Sequence, residues 1–176
     1  MKNKKRNILT MILFVIYLLL LVSIILFKLP FYSAGAEGIR VINLIPFQGS
    51  FDESGVILMR EIIYNILLFI PFGIYLCMLK SEWTFMKKVL PIMGLTVTFE
   101  VIQFVFAIGR SDITDILDNT FGGLIGIGIY AFLFRIFKSR TVKIVNMLAL
   151  VLTVCVALGF YYLFYLSHFV MRGPSR

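Results

Sequence analysis

Long apolar runs dominate the chain, and each approaches the roughly 20 residues that cross a hydrocarbon core as a helix. The first run follows a basic segment and exceeds the roughly 7–15 residues of a signal-peptide core. We therefore predict an all-α integral membrane protein, a bundle of five transmembrane helices forming a single membrane domain over residues 8–166. The predicted spans are 8–27, 62–79, 89–108, 121–137 and 144–166.

Lysine and arginine are distributed unevenly between the two sides of this bundle. With the N-terminus inside, 11 of the 17 Lys and Arg residues lie in inner segments. Because basic residues favour the cytoplasmic side, this distribution predicts N-in, C-out. Residues 1–7 then form a basic cytoplasmic N-terminus, and residues 167–176 form a short external tail.

Composition supports the membrane assignment. The chain is 60% hydrophobic and 15% charged, and its mean hydropathy is +0.98, whereas soluble domains are about 45–50% apolar. The net charge of +8 comes from short basic clusters beside apolar runs, not from one basic face. We therefore predict the lipid bilayer as a partner and no nucleic acid.

The longest predicted connection, residues 28–61, is external and unusually apolar. It contains N-L-I-P-F at Asn43–Phe47, including Pro46. Such a loop is too apolar to extend freely into water. We expect it either to lie on the outer interface or to enter the bundle as a re-entrant segment.

Polar side chains interrupt the apolar pattern most densely at Phe99–Gly126. Glu100 and Gln103 share one helix face. Glu100 lies about 12 Å below the outer end of its span at Ile108, at 1.5 Å per residue. A carboxylate at that depth is unfavourable by several kcal/mol, so Glu100 should be protonated or paired toward the protein interior.

The next span carries a stripe of Asp115, Asn119, Gly122 and Gly126, at spacings of four, three and four. Small residues at such spacing allow helices to approach closely, so the glycines predict a packing seam. Asp112 and Asp115 are also suited to capping a helix N-terminus, and that interpretation stays open.

The second span begins with Glu61, and Asn65 follows one turn later on the same face. Pro71 then removes a backbone donor within the run. The proline forms either a packing kink or a kink that opens a cavity opposite Glu100.

Spans two, three and four thus each carry polar residues in their outer halves, which predicts an outward-facing polar pocket. Its candidate lining residues are Glu100, Gln103, Asp115, Asn119, Asn65, Glu61, Arg110, Asp112, Asp118 and Asn43. The candidate structural residues are Pro46, Pro71, Gly122, Gly123 and Gly126.

The residue types in this pocket restrict its chemistry. No histidine or cysteine accompanies the acids, which argues against zinc and against Ser–His or Cys–His catalysis. The oxygen ligands could hold Mg²⁺ or Ca²⁺, but they form no EF-hand or P-loop pattern. We therefore predict no cofactor and no metal site, and favour a protein that is not an enzyme.

Four motifs in order resemble those of the VanZ-like family of bacterial membrane proteins, within residues 42–138. They are N-L-I-P-F, N-I-L-L-F-I-P-F-G, F-E-V-I-Q-F and G-R-S-D-I-T-D-I-L-D-N-T-F-G-G-L-I-G. The resemblance implies a multi-pass plasma-membrane protein of Gram-positive bacteria that lowers susceptibility to teicoplanin-type, lipid-bearing glycopeptides. It carries over to Asn43, Pro46, Asn65, Pro71, Glu100, Gln103, Asp112, Asp115, Asn119, Gly122 and Gly123.

Three functional hypotheses follow. In the first, the polar pocket binds a lipid-linked cell-wall precursor, another envelope component or the drug. In the second, the protein is a membrane enzyme that modifies a lipid or wall precursor with acid–base or Mg²⁺-binding carboxylates. In the third, it is a small transporter or flippase. The oligomeric state stays open.

Overall fold

The computed structural model describes residues 2–27, 41–48, 59–108 and 111–172. Within these ranges the regular structure is helical, apart from two short strands that pair with each other. The elements in chain order are α1 Lys2–Phe27, β1 Ile42–Asn43, α2 Met59–Leu79, α3 Phe85–Phe106, β2 Ser111–Asp112, α4 Ile113–Phe137, a 3₁₀ turn Lys138–Arg140 and α5 Thr141–Arg172.

Four helical stretches are long and apolar enough to cross a membrane: Ile8–Leu26, Met59–Leu79, Phe85–Phe106 and Ile113–Tyr162. The last stretch runs from α4 through the 3₁₀ turn into α5. An all-helical chain with helices long and apolar enough to span a membrane is therefore confirmed. The count of five spans, their orientation and the external position of the loop stay predictions.

The observed helices extend beyond the predicted spans, most clearly in α4, which begins at Ile113 rather than at residue 121. The side chain of Asp112 accepts a hydrogen bond from the backbone N–H of Thr114 and so caps the helix. The polar residues of the first two turns lower the local hydropathy but do not oppose helix formation. The helix is therefore longer than its most hydrophobic stretch, and the predicted span 121–137 stays a prediction.

α2 and α4 run parallel and meet backbone to backbone. Gly122 lies against the carbonyl group of Ile66, and Gly126 lies against that of Ile70 one turn further along. From the first contact to the second, the residue number increases along both helices, so the two helices run in the same direction. The stripe predicted as a packing seam therefore lies against α2, where a Cβ atom on either glycine would overlap a carbonyl oxygen.

A compact apolar core lies beside this seam. It comprises Leu21 of α1, Phe69, Phe72 and Leu76 of α2, and Ile92 and Phe99 of α3. The rings of Phe69 and Phe99 meet edge to face, with centroids 6.3 Å apart. The core therefore joins three helices around one half of α2.

Tyr17 fastens α1 to the proline-containing turn of α2. α2 remains helical through Pro71, whose ring removes the backbone donor for the carbonyl four residues earlier. The Tyr17 hydroxyl donates to the Leu68 carbonyl at 2.7 Å, within the same turn. α1 thus supports α2 where the internal hydrogen bonding of that helix is weakest.

A buried polar pair joins α1 to α5. The Asn146 side-chain amide donates to the Thr10 hydroxyl at 2.9 Å, and the hydroxyl lies 3.2 Å from the amide oxygen of Asn146. Both side chains are almost completely buried. Such pairs between membrane helices contribute on average about 0.6 kcal/mol and up to about 1.7 kcal/mol.

Thr10→Val and Asn146→Leu are each expected to lower the free energy of unfolding by about 1 kcal/mol. A double-mutant cycle on detergent-purified protein should show a coupling energy of similar size. Thr98→Val is the control, since that hydroxyl is exposed and bonds only within its own helix. Additive single effects would show that the pair does not hold α5 to α1.

Candidate functional site

The chain folds back sharply after α3. Ala107 adopts the left-handed conformation and ends the helix, with its N–H directed at the last turn. The Ser111 hydroxyl then donates to the Glu100 carbonyl at 2.6 Å. The returning chain is therefore level with Glu100, about 9 Å below the end of α3 at Phe106, at 1.5 Å per residue.

Glu100 is the acceptor at the centre of this fold-back. Its Oε2 accepts from the backbone N–H of Asp112 at 2.8 Å, and the residue is only 6% exposed. The side chain thereby joins α3 to the residue that caps α4. The expectation that Glu100 avoids lipid and pairs toward the interior agrees with this geometry.

Both carboxylate oxygens of Asp112 accept hydrogen bonds. Oδ1 accepts from the Thr114 backbone N–H at 2.8 Å, and Oδ2 accepts from the Asn43 side-chain amide at 2.9 Å. The capping interpretation of Asp112 therefore describes one of its oxygens. The other holds the segment that contains Asn43.

Residues 41–48, which we name the docked segment, lie against the start of α4. β1 pairs in parallel with β2, Ile42 opposite Ser111 and Asn43 opposite Asp112. The Phe47 backbone N–H donates to the Thr114 hydroxyl at 2.9 Å. Non-helical backbone is thus hydrogen-bonded to the same turn that Glu100 and Asp112 organise.

Two further polar contacts tie α4 to its neighbours. The Asn65 side-chain amide donates to Asp115 Oδ1 at 2.7 Å, linking α2 to α4. The Asn119 amide donates to the Thr96 hydroxyl at 2.9 Å, linking α3 to α4. Asp115 therefore faces into the bundle, and its oxygen bonds a neighbouring helix.

Gln103 extends the assembly to α1. Its side-chain amide donates to the Ile25 carbonyl at 3.2 Å, near the C-terminal end of α1. Such a carbonyl has no partner within its own helix and needs a donor from elsewhere. We name the residues that make these contacts the polar junction: Asn43, Asn65, Thr96, Glu100, Gln103, Ser111, Asp112, Thr114, Asp115 and Asn119.

Several buried oxygens have no hydrogen-bond partner among the described residues. They are Gln103 Oε1, Asp118 Oδ2, Asn119 Oδ1 and Thr120 Oγ1. A buried acceptor without a donor costs about 1–3 kcal/mol. Among the described residues, the C-terminal half of α3 and the N-terminal half of α4 are therefore better supplied with acceptors than with donors.

The structure brings most of the predicted candidates together, but not all. Glu61 is partly buried one turn before Asn65 on α2, and Pro46 is exposed in the docked segment. Gly123 packs against the Ile92 side chain of α3. Arg110 lies outside the described residues.

Sequence reasoning missed Thr96 and Thr114, which are 0% and 2% exposed and are both hydrogen-bonded within the junction. A signal was present for Thr96, since it precedes Glu100 by four residues and so lies on the face shared with Gln103. Thr114 is recognised only once the docked segment is placed.

The acids are dispersed rather than gathered at one point. Among the residues that the structure describes, no group of three or more His, Cys, Asp and Glu side chains is placed to hold a metal ion. The geometry instead connects four helices and a short parallel strand pair through single hydrogen bonds.

These features define a class of protein: an all-helical chain, consistent with a membrane protein, most of whose buried polar residues lie in one half of the bundle. A model of the VanZ/LLP1 family matches residues 14–138, and the chain belongs to this family. The resemblance in the sequence motifs is therefore confirmed. The match includes the polar junction and the glycine seam and ends before α5.

A curated relative makes the relationship more specific. The chain is 39% identical over 117 residues to "Protein VanZ" of Enterococcus faecium, across 65% of this chain and 69% of that protein. No solved structure matches the chain significantly.

Proposed function

We propose that the chain is a multi-pass bacterial plasma-membrane protein that lowers susceptibility to lipid-bearing glycopeptide antibiotics of the teicoplanin type. In this proposal the polar junction faces outward and engages a lipid-linked envelope component or the drug. The observation that carries it is the family match, which spans every element that contributes to the junction.

The orientation in this proposal is supported by the separation of charge along the bundle. The end of the bundle where α2 meets α3 and α4 meets α5 carries basic side chains, whereas most acids of the described residues lie toward the opposite end. The basic residues are Lys80, Lys87, Lys88, Arg135, Lys138, Arg140 and Lys143. Because such residues favour the cytoplasmic side, the junction belongs to the outer side.

The acceptor-rich interior supports a ligand that donates hydrogen bonds. Gln103 directs its amide nitrogen to a backbone carbonyl, which leaves its oxygen as the free group. Asp118 likewise has a buried oxygen without a donor among the described residues. Hydroxyl and ammonium groups, which abound in envelope precursors and glycopeptides, are chemically complementary to these oxygens.

Expression in a susceptible Gram-positive host is expected to raise the inhibitory concentration of teicoplanin several-fold and leave that of vancomycin nearly unchanged. Asp115→Asn should abolish this protection, because it removes the charge beside Asn65. Glu82→Gln, in the loop between α2 and α3, is the control and should keep full protection. Membrane abundance of each variant must be equal.

Two outcomes would overturn the proposal. Equal protection against both drugs would show that the lipid-bearing end of teicoplanin plays no part in the protection. Full teicoplanin protection from a well-expressed Asp115→Asn, Asn119→Leu double variant would show that the polar junction is not needed for protection.

A further inference from the structure

The docked segment has the reverse of the polarity expected for a loop in water. Two of its polar groups bond the start of α4: the Asn43 amide donates to Asp112, and the Phe47 N–H donates to Thr114. Its apolar side chains face outward, with Leu44 73% and Ile45 60% exposed. This pattern suits contact with an apolar medium.

The depth of the segment is set by α3. β2 is level with Glu100, and β1 pairs directly with β2. α3 continues beyond that level to Phe106, which adds about 9 Å along its axis. Val101, Val105 and Phe106 are all exposed on this part of the helix, so an apolar exterior extends above the paired strands.

Several backbone groups of the segment are hydrogen-bonded within the protein, as such a location requires. Irregular backbone at membrane depth is tolerated only where its polar groups are satisfied by protein. Here the Val41 carbonyl accepts from the Ser111 N–H at 3.0 Å, and the Ile45 N–H donates to Asn43 Oδ1 at 3.2 Å. The Gln48 N–H donates to the Ile45 carbonyl at 3.2 Å.

We propose that residues 41–48 form a re-entrant element whose outward side chains contact lipid acyl chains. Removing such side chains from water is favourable. The element thus closes the end of the bundle over Asp112 and Thr114 and exposes a hydrocarbon surface to the bilayer. The proposal requires spanning helices but not antibiotic protection.

Tryptophan fluorescence tests this placement directly. The chain has a single tryptophan, Trp83, in the loop between α2 and α3 at the other end of the bundle. In a Trp83→Phe background, Leu44→Trp and Ile45→Trp introduce probes at positions that are exposed among the described residues. Glu82→Trp provides the aqueous control.

In phospholipid nanodiscs, Leu44→Trp and Ile45→Trp are expected to emit in the blue. Lipids brominated on their acyl chains should quench most of that emission, and iodide should quench several-fold less of it than of the Glu82→Trp emission. Quenching by iodide as strong as in Glu82→Trp would overturn the proposal. Resistance to both quenchers would also overturn it, because another protein surface would then cover the segment.

These outcomes are independent of drug susceptibility. Loss of protection with unchanged quenching would concern the proposed function alone, whereas aqueous exposure of the probes would overturn only the re-entrant placement. Circular dichroism of each variant confirms that the helices remain intact.

Discussion

Gly122→Ala is expected to destabilise the protein by about 3 kcal/mol or more, because the added methyl group overlaps the Ile66 carbonyl of α2. Both sides of this contact are helix backbone, so no side chain can rotate to relieve it. The two helices must separate, and Asn65 and Asp115 separate with them. Thermal unfolding in detergent, followed by size-exclusion chromatography, measures the loss.

Gly128→Ala is the matched control for this prediction. It lies on the same helix, but a Cβ atom there meets nothing within 4 Å. Alanine is favoured over glycine in a helix by about 1 kcal/mol, so this variant should be neutral or slightly more stable. Equal destabilisation by both substitutions would show that the seam does not depend on close approach.

Glu100→Ala is expected to have the second large effect, because it leaves the Asp112 N–H without the carboxylate that accepts its hydrogen bond. Loss of a partner for a buried donor costs about 1–3 kcal/mol. The start of α4 and the docked segment should loosen together. Amide hydrogen exchange measures this loosening: Asp112 and Thr114 should exchange faster in Glu100→Ala than in the wild type.

Glu100→Gln separates structure from function at the same position. The amide oxygen can still accept from Asp112, so stability should stay within about 1 kcal/mol of the wild type. Teicoplanin protection should nevertheless fall several-fold if the charge contributes to the site. Full protection would assign Glu100 a purely structural role.

The burial of the polar residues was predictable because the cost of exposing them to lipid is high. Glu100 and Gln103 share a face that had to point inward, and both are almost completely buried. The glycines at 122 and 126 indicated a close approach for the same kind of reason. In each case one orientation of the helix face was energetically much less costly than the others.

The partners of these residues were not predictable from periodicity. The fold-back after Ala107 depends on a left-handed backbone conformation at a residue that rarely adopts it. That turn decides that Glu100 bonds Asp112 and that β1 lies beside β2. The glycine stripe likewise defined a seam without indicating that α2, rather than α3, would occupy it.

The parallel pairing of α2 and α4 has a consequence for synthesis of the chain. Asn65 and Asp115 are separated by 50 residues, and α3 must be completed between them. At about 5–20 residues per second, Asn65 waits roughly 3–10 seconds for its partner. Throughout that interval α2 presents the Asn65 side chain and the backbone carbonyl groups of Ile66 and Ile70 without the glycine face of α4 that covers them. We therefore expect newly made chains to be most vulnerable to membrane proteases before α4 arrives.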